Sequence, residues 1–204
     1  SVHSSFKKSQ LSSKLKLARV DANFSVRLVP SKTAFYLDFG AGWGGWAKEI
    51  SMQTGNIYAA ELSPPRMSYL SNTLGLKLFD TNKDKVLFDY INLAQVLEHV
   101  ADPLGLLGLL FRVLKPGGIV HVSVPNANAH VKTGFGELHC LAKGPYQPLE
   151  HINCFTYKTL HRAMVNAGFA SISNLRIALN GSYGLKRLIK KQFYGAADWY
   201  FVRS

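Results

Sequence analysis

The stretch AFYLDFGAGWGG, residues 34–45, decides the fold because it joins a strand-like run to a cluster of glycines. Residues 34–39 are apolar and aromatic for the most part, which is typical of a buried β-strand. Glycines directly after such a strand let the backbone turn sharply and approach a ligand closely. The helix expected to follow would present free backbone N–H groups at its N-terminus. The stretch therefore predicts a strand, a ligand-binding loop and a helix, in that order.

Strand-like and helix-like segments continue to alternate along the rest of the chain. Further strands are predicted at 56–62, 76–79, 88–93, 119–124, 171–179 and 199–202. Helix starts are indicated by Ser63, with the two prolines after it, and by Thr156, and a helix end is indicated by KPGG at 115–118. Strands that alternate with helices predict an α/β fold, in which a mostly parallel sheet has helices on both faces.

Two regions lie outside this alternation. Residues 1–32 include a basic, amphipathic segment at 11–20, so we expect an N-terminal basic helical extension ahead of a domain at 33–204. Residues 125–155 are rich in His, Asn, Gly and Pro and form a long irregular segment after the fifth strand. Because loops of this length usually cover or bind a ligand, we expect a lid insertion there. A plain surface insertion is the alternative.

Composition places the chain among globular proteins. Of its 204 residues 47% are hydrophobic and 18% charged, which suits one domain with a proper core and excludes a disordered chain. The longest apolar stretch, 104–114, is interrupted by two glycines and Arg112 and is too short to cross a bilayer. Cys140 and Cys154 are the only cysteines and no secretory signal is recognised, so we expect reduced thiols and a cytoplasmic location.

Charge is the unusual feature of the composition, because 24 Lys and Arg against 12 Asp and Glu give a formal net charge of +12. Much of the excess lies near the two ends, within residues 7–19 and 186–191. It favours an anionic partner, which could be nucleic acid, a phosphorylated or nucleotide-linked substrate, or a membrane surface. A solvated basic face that keeps the protein in solution is an equal alternative. Charge alone identifies no ligand.

The glycine loop on its own is compatible with two kinds of cofactor. Gly40, Gly42 and Gly45 match the G-x-G-x-x-G dinucleotide fingerprint, and Glu61 lies near the spacing of its ribose-binding acid. A nicotinamide-dependent oxidoreductase is therefore an alternative. Asp38, just ahead of the first glycine, would crowd a pyrophosphate but suits a ligand that carries an ammonium and a sulfonium group.

Four motifs follow one another along the chain: DFGAGWG at 38–44, AELS at 60–63, FDYINLAQVLEHVADP at 88–103 and LKPGGIVHVSVPN at 114–126. In this order they resemble the motifs of class I S-adenosylmethionine (SAM)-dependent methyltransferases. The most similar subgroup is the generic methyltransferase-domain set that includes ubiquinone-biosynthesis O-methyltransferases, whose segment leading into the penultimate helix resembles HINCFTYKTLHRAMVNAGF at 151–169. The resemblance implies a Rossmann-like, seven-stranded fold, methyltransferase activity and SAM as the cofactor.

The resemblance also implies which residues hold the cofactor, most of them at or just beyond strand ends. They are Asp38, Gly40, Ala41, Gly42 and Gly44 for the methionine part, Glu61 for the ribose hydroxyls, Leu62 and Asp80 for the adenine, and Gln95 beside the methyl group. A carboxylate suits the ribose because it can accept two hydrogen bonds at once. For Asp80 the alternative is a turn-forming acid ahead of Thr81 and Asn82.

Methyl transfer from a sulfonium needs little from the protein beyond orientation, so no catalytic residue is strictly required. Where the acceptor is a hydroxyl, a general base adds roughly 10²–10⁴-fold, and histidine suits this role because it titrates near neutral pH. We favour His151 as the base and His99 second, ahead of His130 and His139; a structural role is the alternative for each. Because no cysteine or histidine shows ligand spacing such as C-x₂-C, we expect no metal site.

The function predicted from the sequence is methyl transfer from SAM to an O or N atom of a small-molecule acceptor, such as a sugar, a lipid-linked compound or an aromatic compound. The lid at 125–155 would cover this acceptor. An RNA or protein methyltransferase is the first alternative, favoured by the basic termini, and a nicotinamide-dependent oxidoreductase is the second. A relative that binds no cofactor is disfavoured by the intact D-x-G-x-G-x-G motif. We expect a monomer or a homodimer.

Overall fold

The computed structural model describes residues 2–128, 150–172 and 196–203. The helices are α1 (Val2–Leu28), α2 (Gly45–Ser51), α3 (Pro64–Ser68), α4 (Pro103–Val113) and α5 (Tyr157–Asn166). The strands are β1 (Tyr36–Phe39), β2 (Ile57–Ala60), β3 (Lys77–Leu78), β4 (Phe88–Ala94), β5 (Leu114–Pro125), β6 (Phe169–Ser171) and β7 (Ala196–Arg203). A π-helical turn, Tyr69–Thr73, extends α3, and a 3-10 turn, Leu97–His99, follows β4.

The seven strands form one sheet in the order β3-β2-β1-β4-β5-β7-β6. The pairs β1–β2, β2–β3 and β4–β5 are parallel, whereas β7 runs antiparallel to both β5 and β6. The mostly parallel, seven-stranded, Rossmann-like α/β sheet predicted from the sequence is therefore confirmed. The parallel strands β1, β2 and β4 are mostly apolar because nearly all of their side chains are buried.

The chain divides into two compact units, and the first comprises residues 1–84. Its core includes the fully buried side chains of Leu37 on β1, Ile50 on α2 and Leu70 in the π-helical turn. The C-terminal half of α1 packs against α2, and Arg19 donates a hydrogen bond to Glu49 across this contact, at 3.4 Å. The C-terminal half of α1 is thus part of this unit's packing.

The second unit comprises residues 85–204. Residues on β4 are buried almost without interruption, as expected for a parallel strand covered on both faces. Helix α4 buries Leu107 and Leu110, and α5 buries Leu160 and Met164. These apolar side chains recur three or four residues apart, so each helix presents one face to the core.

The observed ends of the helices and strands agree in part with the ends predicted from the sequence. The predicted start at Thr156 is confirmed, because Thr156 and Thr159 each accept a hydrogen bond from the other's backbone N–H, at 3.2 and 2.9 Å. Ser63 precedes α3 as predicted, but its side chain forms no capping hydrogen bond. Helix α4 ends at Val113, and β5 begins at once with Leu114, ahead of the predicted strand start at residue 119.

Some predictions concern residues outside the described ranges. These are the middle of the lid insertion at 129–149, with His130, His139 and Cys140, and most of the sixth strand at 173–179. The division into a 1–32 extension and a 33–204 domain stays a prediction. Within the described ranges, no helix combines the length and apolar character that a bilayer crossing requires.

Candidate functional site

In the glycine loop between β1 and α2, every second residue has a left-handed backbone conformation. Gly40, Gly42 and Gly44 have φ values of 74°, 57° and 71°, in the left-handed region that favours glycine. The N–H groups of Gly40 and Ala41 both donate to the carbonyl oxygen of Ala60, at 2.9 and 3.0 Å. These hydrogen bonds tie the loop to the end of β2, so the two motifs that the sequence predicts to bind SAM lie side by side.

Two of these glycines differ in what surrounds them. A Cβ added at Gly44 would lie 2.6 Å from Leu70 Cδ2 and 2.8 Å from Leu74 Cδ1, so the left-handed backbone and the helix packing explain a glycine there without a ligand. A Cβ added at Gly42 would meet no atom within 4 Å. At Gly42 the backbone faces open space at the carboxyl end of the parallel strands, which is where ligands bind in open α/β sheets.

The Glu61 carboxylate is bound to the same loop. Its Oε2 accepts the N–H of Gly42 at 2.9 Å, and its Oε1 accepts the N–H groups of Leu62 and Ser63 at 2.9 and 3.0 Å. The Arg66 guanidinium lies 3.7 Å from Oε2, and the Glu61 side chain is only 9% exposed. Glu61 therefore fixes the loop conformation as well as presenting a negative charge beside Gly42.

Exposed aromatic and apolar side chains lie on the segments that hold this carboxylate, and sequence reasoning missed most of them. Trp43 in the loop is 60% exposed and packs edge-to-face on Tyr69, with 5.5 Å between ring centroids. Arg66 lies over the Trp43 ring at 5.9 Å. Leu62, which was predicted to pack on the adenine, is 95% exposed. The one available signal was a tryptophan inside a glycine loop, where small residues are usual.

Asp80 and Asp38 lie in the same compact unit. The Asp80 carboxylate accepts the N–H of Asn82 at 2.9 Å and lies 3.1 Å from Lys83 Nζ. The Asn82 hydrogen bond and then the Lys83 contact lower the pKa of Asp80. This is the turn geometry given above as the alternative for Asp80, and its adenine role stays a prediction. Asp38 is buried, 3% exposed, near the end of β1.

In the second compact unit, Gln95 follows β4 in an unusual conformation. Its φ is 57°, the only positive value among described non-glycine residues. Its N–H donates to the Ser123 carbonyl at 2.7 Å, which turns the chain sharply where the strand ends. Such backbone strain costs about 1–3 kcal/mol and tends to occur at functional sites.

A cluster of Glu98, His99 and His151, called the Glu98 cluster below, also lies in the second unit. One nitrogen or oxygen atom from each residue lies within 4.8 Å of the others. The His99 and His151 rings meet edge-to-face with centroids 4.8 Å apart, and His99 Nε2 is 3.9 Å from Glu98 Oε1. The two histidines favoured as general bases are thus neighbours, and the acid Glu98 lies beside them.

Backbone contacts hold the two halves of the cluster together. Asn153 Nδ2 donates to the carbonyls of Leu97 and Val100, at 3.2 and 2.7 Å. The N–H groups of Ile152 and Asn153 donate to the Glu98 carbonyl at 2.7 and 3.0 Å. The His151 segment is therefore docked on the 3-10 turn that carries Glu98 and His99.

The polar atoms of the cluster differ in their partners. His99 Nδ1 lies 2.6 Å from the Glu150 carbonyl, which can only accept, so Nδ1 carries a proton and donates. In the neutral ring Nε2 is then the nitrogen that can accept a proton. The Glu98 side chain is 1% exposed, and among the described residues neither carboxylate oxygen has a hydrogen-bond partner. Burial raises the pKa of the Glu98 carboxyl, and its own backbone and then His99 and His151 oppose this shift only in part.

Comparison with known proteins places these features in context. The family described as "Methyltransferase domain" matches residues 15–174 of the chain. No curated protein matches the chain at a significant level.

Solved structures of similar fold share little sequence with the chain. The cyclase SpnF is 18% identical, with 91% of this chain and 81% of that chain covered at a TM-score of 0.63. CalS10 with SAM bound, an amino pentose methyltransferase of Micromonospora echinaspora involved in calicheamicin biosynthesis, is 14% identical, with coverage of 100% and 97% and a TM-score of 0.60. The 1,6-didemethyltoxoflavin-N1-methyltransferase of Burkholderia thailandensis is 16% identical, with coverage of 100% and 85% and a TM-score of 0.63. At these identities the likeness shows the fold alone.

Proposed function

Because the chain belongs to the methyltransferase-domain family and is a SAM-dependent methyltransferase, we propose that it methylates an O or N atom of a small-molecule acceptor. When bound, SAM supplies an electrophilic methyl group: its C–S bond breaks, the electron pair stays on sulfur, and the carbon bonds to the acceptor. The protein's part is to bind, to orient and to manage the acceptor's proton.

The observation that carries this proposal is the open space at Gly42 beside the Glu61 carboxylate. A backbone without Cβ at that point admits a ligand to within contact distance, and the carboxylate 2.9 Å from the Gly42 nitrogen suits ribose hydroxyls. The two carboxylate oxygens offer about four acceptor sites, and three backbone N–H groups occupy some of them. Glu61 can therefore hold the loop and accept a ribose hydroxyl at once.

Most of the other residues proposed to hold the cofactor lie in the same compact unit as Gly42 and Glu61. The exposed Leu62 side chain offers an apolar surface for the adenine, and the buried Asp38 carboxyl would face the ammonium group, whose positive charge favours the ionised carboxylate. Asp80 would take the adenine amino group with the part of its carboxylate that Asn82 and Lys83 leave unoccupied. Gln95, in the second unit, would border the methyl group.

We assign the acceptor's proton to the two histidines of the Glu98 cluster, His151 first and His99 second. A neutral imidazole nitrogen can take a proton from an acceptor hydroxyl as the O–C bond forms. At His99 this atom is Nε2, because Nδ1 is bonded to the Glu150 carbonyl.

The acceptor is proposed to be a sugar, lipid-linked or aromatic compound, anionic forms included, in line with the small molecules named for two of the structural neighbours. A subgroup relation to ubiquinone-biosynthesis O-methyltransferases, a cytoplasmic location and a monomeric or homodimeric state are further parts of this proposal. The net charge of +12 favours one alternative, an RNA or protein acceptor.

The test is methyl transfer from methyl-labelled SAM to separate pools of amino sugars, phenols, RNA and protein. We expect label in a small-molecule pool. Label in RNA or protein alone would overturn the proposed acceptor class. In the active pool, His151→Ala should lower turnover by about 10²–10⁴-fold while SAM affinity is unchanged, as expected for loss of a general base. Equal turnover would remove His151 from the mechanism.

A further inference from the structure

Ser123 lies where β5 passes the end of β4, and it contacts Gln95 through both its backbone and its side chain. The sheet register places Ser123 opposite Ala94, the last residue of β4. The Gln95 N–H donates to the Ser123 carbonyl at 2.7 Å, and Gln95 Nε2 donates to Ser123 Oγ at 3.4 Å. One residue of β5 therefore holds the main chain of Gln95 and also reaches its carboxamide.

The two residues differ in exposure. Ser123 is 6% exposed, so its hydroxyl is shielded from water and depends on a partner in the protein. Gln95 is exposed, although its left-handed backbone is held by the Ser123 carbonyl. An exposed glutamine ordinarily samples several rotamers, since fixing its side chain costs conformational entropy. The hydrogen bond to Ser123 reduces this freedom before a ligand arrives.

The next side chain on the same face of β5 is also fixed by its contacts. His121 precedes Ser123 by two residues, so the two side chains lie on one face of the strand. His121 Nδ1 is 2.8 Å from Asn92 Oδ1, and the His121 ring stacks on Tyr200 with 4.8 Å between centroids. His121 and Asn92 are both buried. The strand that carries Ser123 is therefore a rigid support for Gln95.

From these contacts we propose that Ser123 is a positioning residue that holds the Gln95 carboxamide toward the methylsulfonium group of bound SAM. The proposal rests on the proposed position of Gln95 beside the methyl group. With Nε2 bonded to Ser123, the carboxamide oxygen is the end left for the cofactor, and its partial negative charge attracts a cation. Ser123 thereby raises the affinity for SAM relative to S-adenosylhomocysteine, which lacks the methyl group and its positive charge. Release of the demethylated product is favoured for the same reason.

The experiment is calorimetric titration of the full chain with SAM and with S-adenosylhomocysteine. The two ligands share the adenine, the ribose and the amino acid part, so the ratio of their dissociation constants isolates contacts to the methylsulfonium group. We call this ratio the preference for SAM. Gln95→Ala should lower it by roughly two- to tenfold, the effect of losing one ordinary polar contact. Ser123→Ala should lower it by a similar factor, and the double variant no further, because both changes remove the same contact.

Ser25→Ala is the matched control. Ser25 on α1 is also a buried serine, 2% exposed, and its hydroxyl donates to the Asp21 carbonyl at 2.8 Å. This variant should leave the preference for SAM unchanged. Ser123→Thr keeps the hydroxyl and suits a strand, so it should retain most of the preference. Thermal melting shows whether each variant is folded. If Ser123→Ala is not, Ser123→Cys replaces it with the same expectation, because a thiol is a weak acceptor.

The possible results separate this proposal from the one on which it rests. An unchanged preference in Ser123→Ala, with a lowered preference in Gln95→Ala, would overturn the role of Ser123 alone. An unchanged preference in Gln95→Ala would overturn the position given to Gln95 and the role of Ser123 with it. A further loss in the double variant would mean that Ser123 acts by a route other than Gln95. Binding of neither ligand would contradict the assignment of SAM itself.

Discussion

At the scale of single residues, Gly42 and Glu61 act together. The Gly42 N–H donates to the Glu61 carboxylate at 2.9 Å, and the space where Gly42 would carry a side chain is open. One residue supplies the turn and the room for a ligand, and the other supplies the charge that holds the turn. No local sequence preference links these two residues. They meet because the parallel strands that precede them end side by side.

Gly42→Ala tests whether that open space is a ligand site. A Cβ at φ 57° costs about 1–2 kcal/mol, and Gly75→Ala should cost the same, since Gly75 has φ 65° and equally open surroundings. Urea denaturation should therefore show similar losses of stability. Only Gly42→Ala should also lose SAM affinity, by roughly tenfold or more, as titration calorimetry would show. Equal SAM affinity in the two variants would mean that the space at Gly42 is not used.

At the scale of elements, hydrogen bonds join the 3-10 turn Leu97–His99 to the segment ahead of α5. Five residues link them through backbone carbonyls: Leu97, Glu98, Val100, Ile152 and Asn153. Asn153 is the key side chain, because its one amide group bonds two carbonyls. Its role is to position His151 beside His99.

Asn153→Ala should weaken the contact between the 3-10 turn and the segment ahead of α5 and leave the glycine loop unchanged. Two carbonyls lose their partner, so unfolding free energy should fall by about 1–3 kcal/mol. Turnover should fall with SAM affinity unchanged, and Asn153→Gln should restore part of it. Exposed Asn23→Ala, on α1, is the control and should lower neither quantity. If Asn153→Ala lowered stability but left turnover intact, the contact would be structural only.

At the scale of the whole molecule, most of the residues proposed to hold SAM precede the residues proposed to take the acceptor's proton, and Gln95 is the exception. Asp38, the glycine loop, Glu61, Leu62 and Asp80 lie in the unit at 1–84, whereas Gln95 and the Glu98 cluster lie in the unit at 85–204. The first group consists of glycines, acids and an apolar side chain suited to a nucleoside. The second group contains the titratable imidazoles. We therefore expect substitutions at Glu61 to change SAM binding and substitutions at His151 to change turnover.

The fold was predictable because its signals are local. Glycines after β1, prolines at the start of α3 and the Thr156–Thr159 cap each act within a few residues. The glycine turn after β1 was predictable for the same reason, whereas its role in binding SAM stays a prediction. The Glu98 cluster was not, because Glu98 and His151 meet only through tertiary contacts, and the left-handed backbone of Gln95 has no signal in a residue that rarely adopts it.

The most direct measurement is calorimetric titration of the full chain with S-adenosylhomocysteine, the demethylated product of SAM, and with NADH, repeated on Glu61→Ala. The nucleoside should bind and NADH should not. Glu61→Ala should weaken binding of the nucleoside by roughly 10–100-fold, because one charge-assisted hydrogen bond worth about 1.5–3 kcal/mol is lost. Binding of NADH without the nucleoside, or unchanged affinity in Glu61→Ala, would contradict the assignment of the glycine loop and Glu61 to SAM.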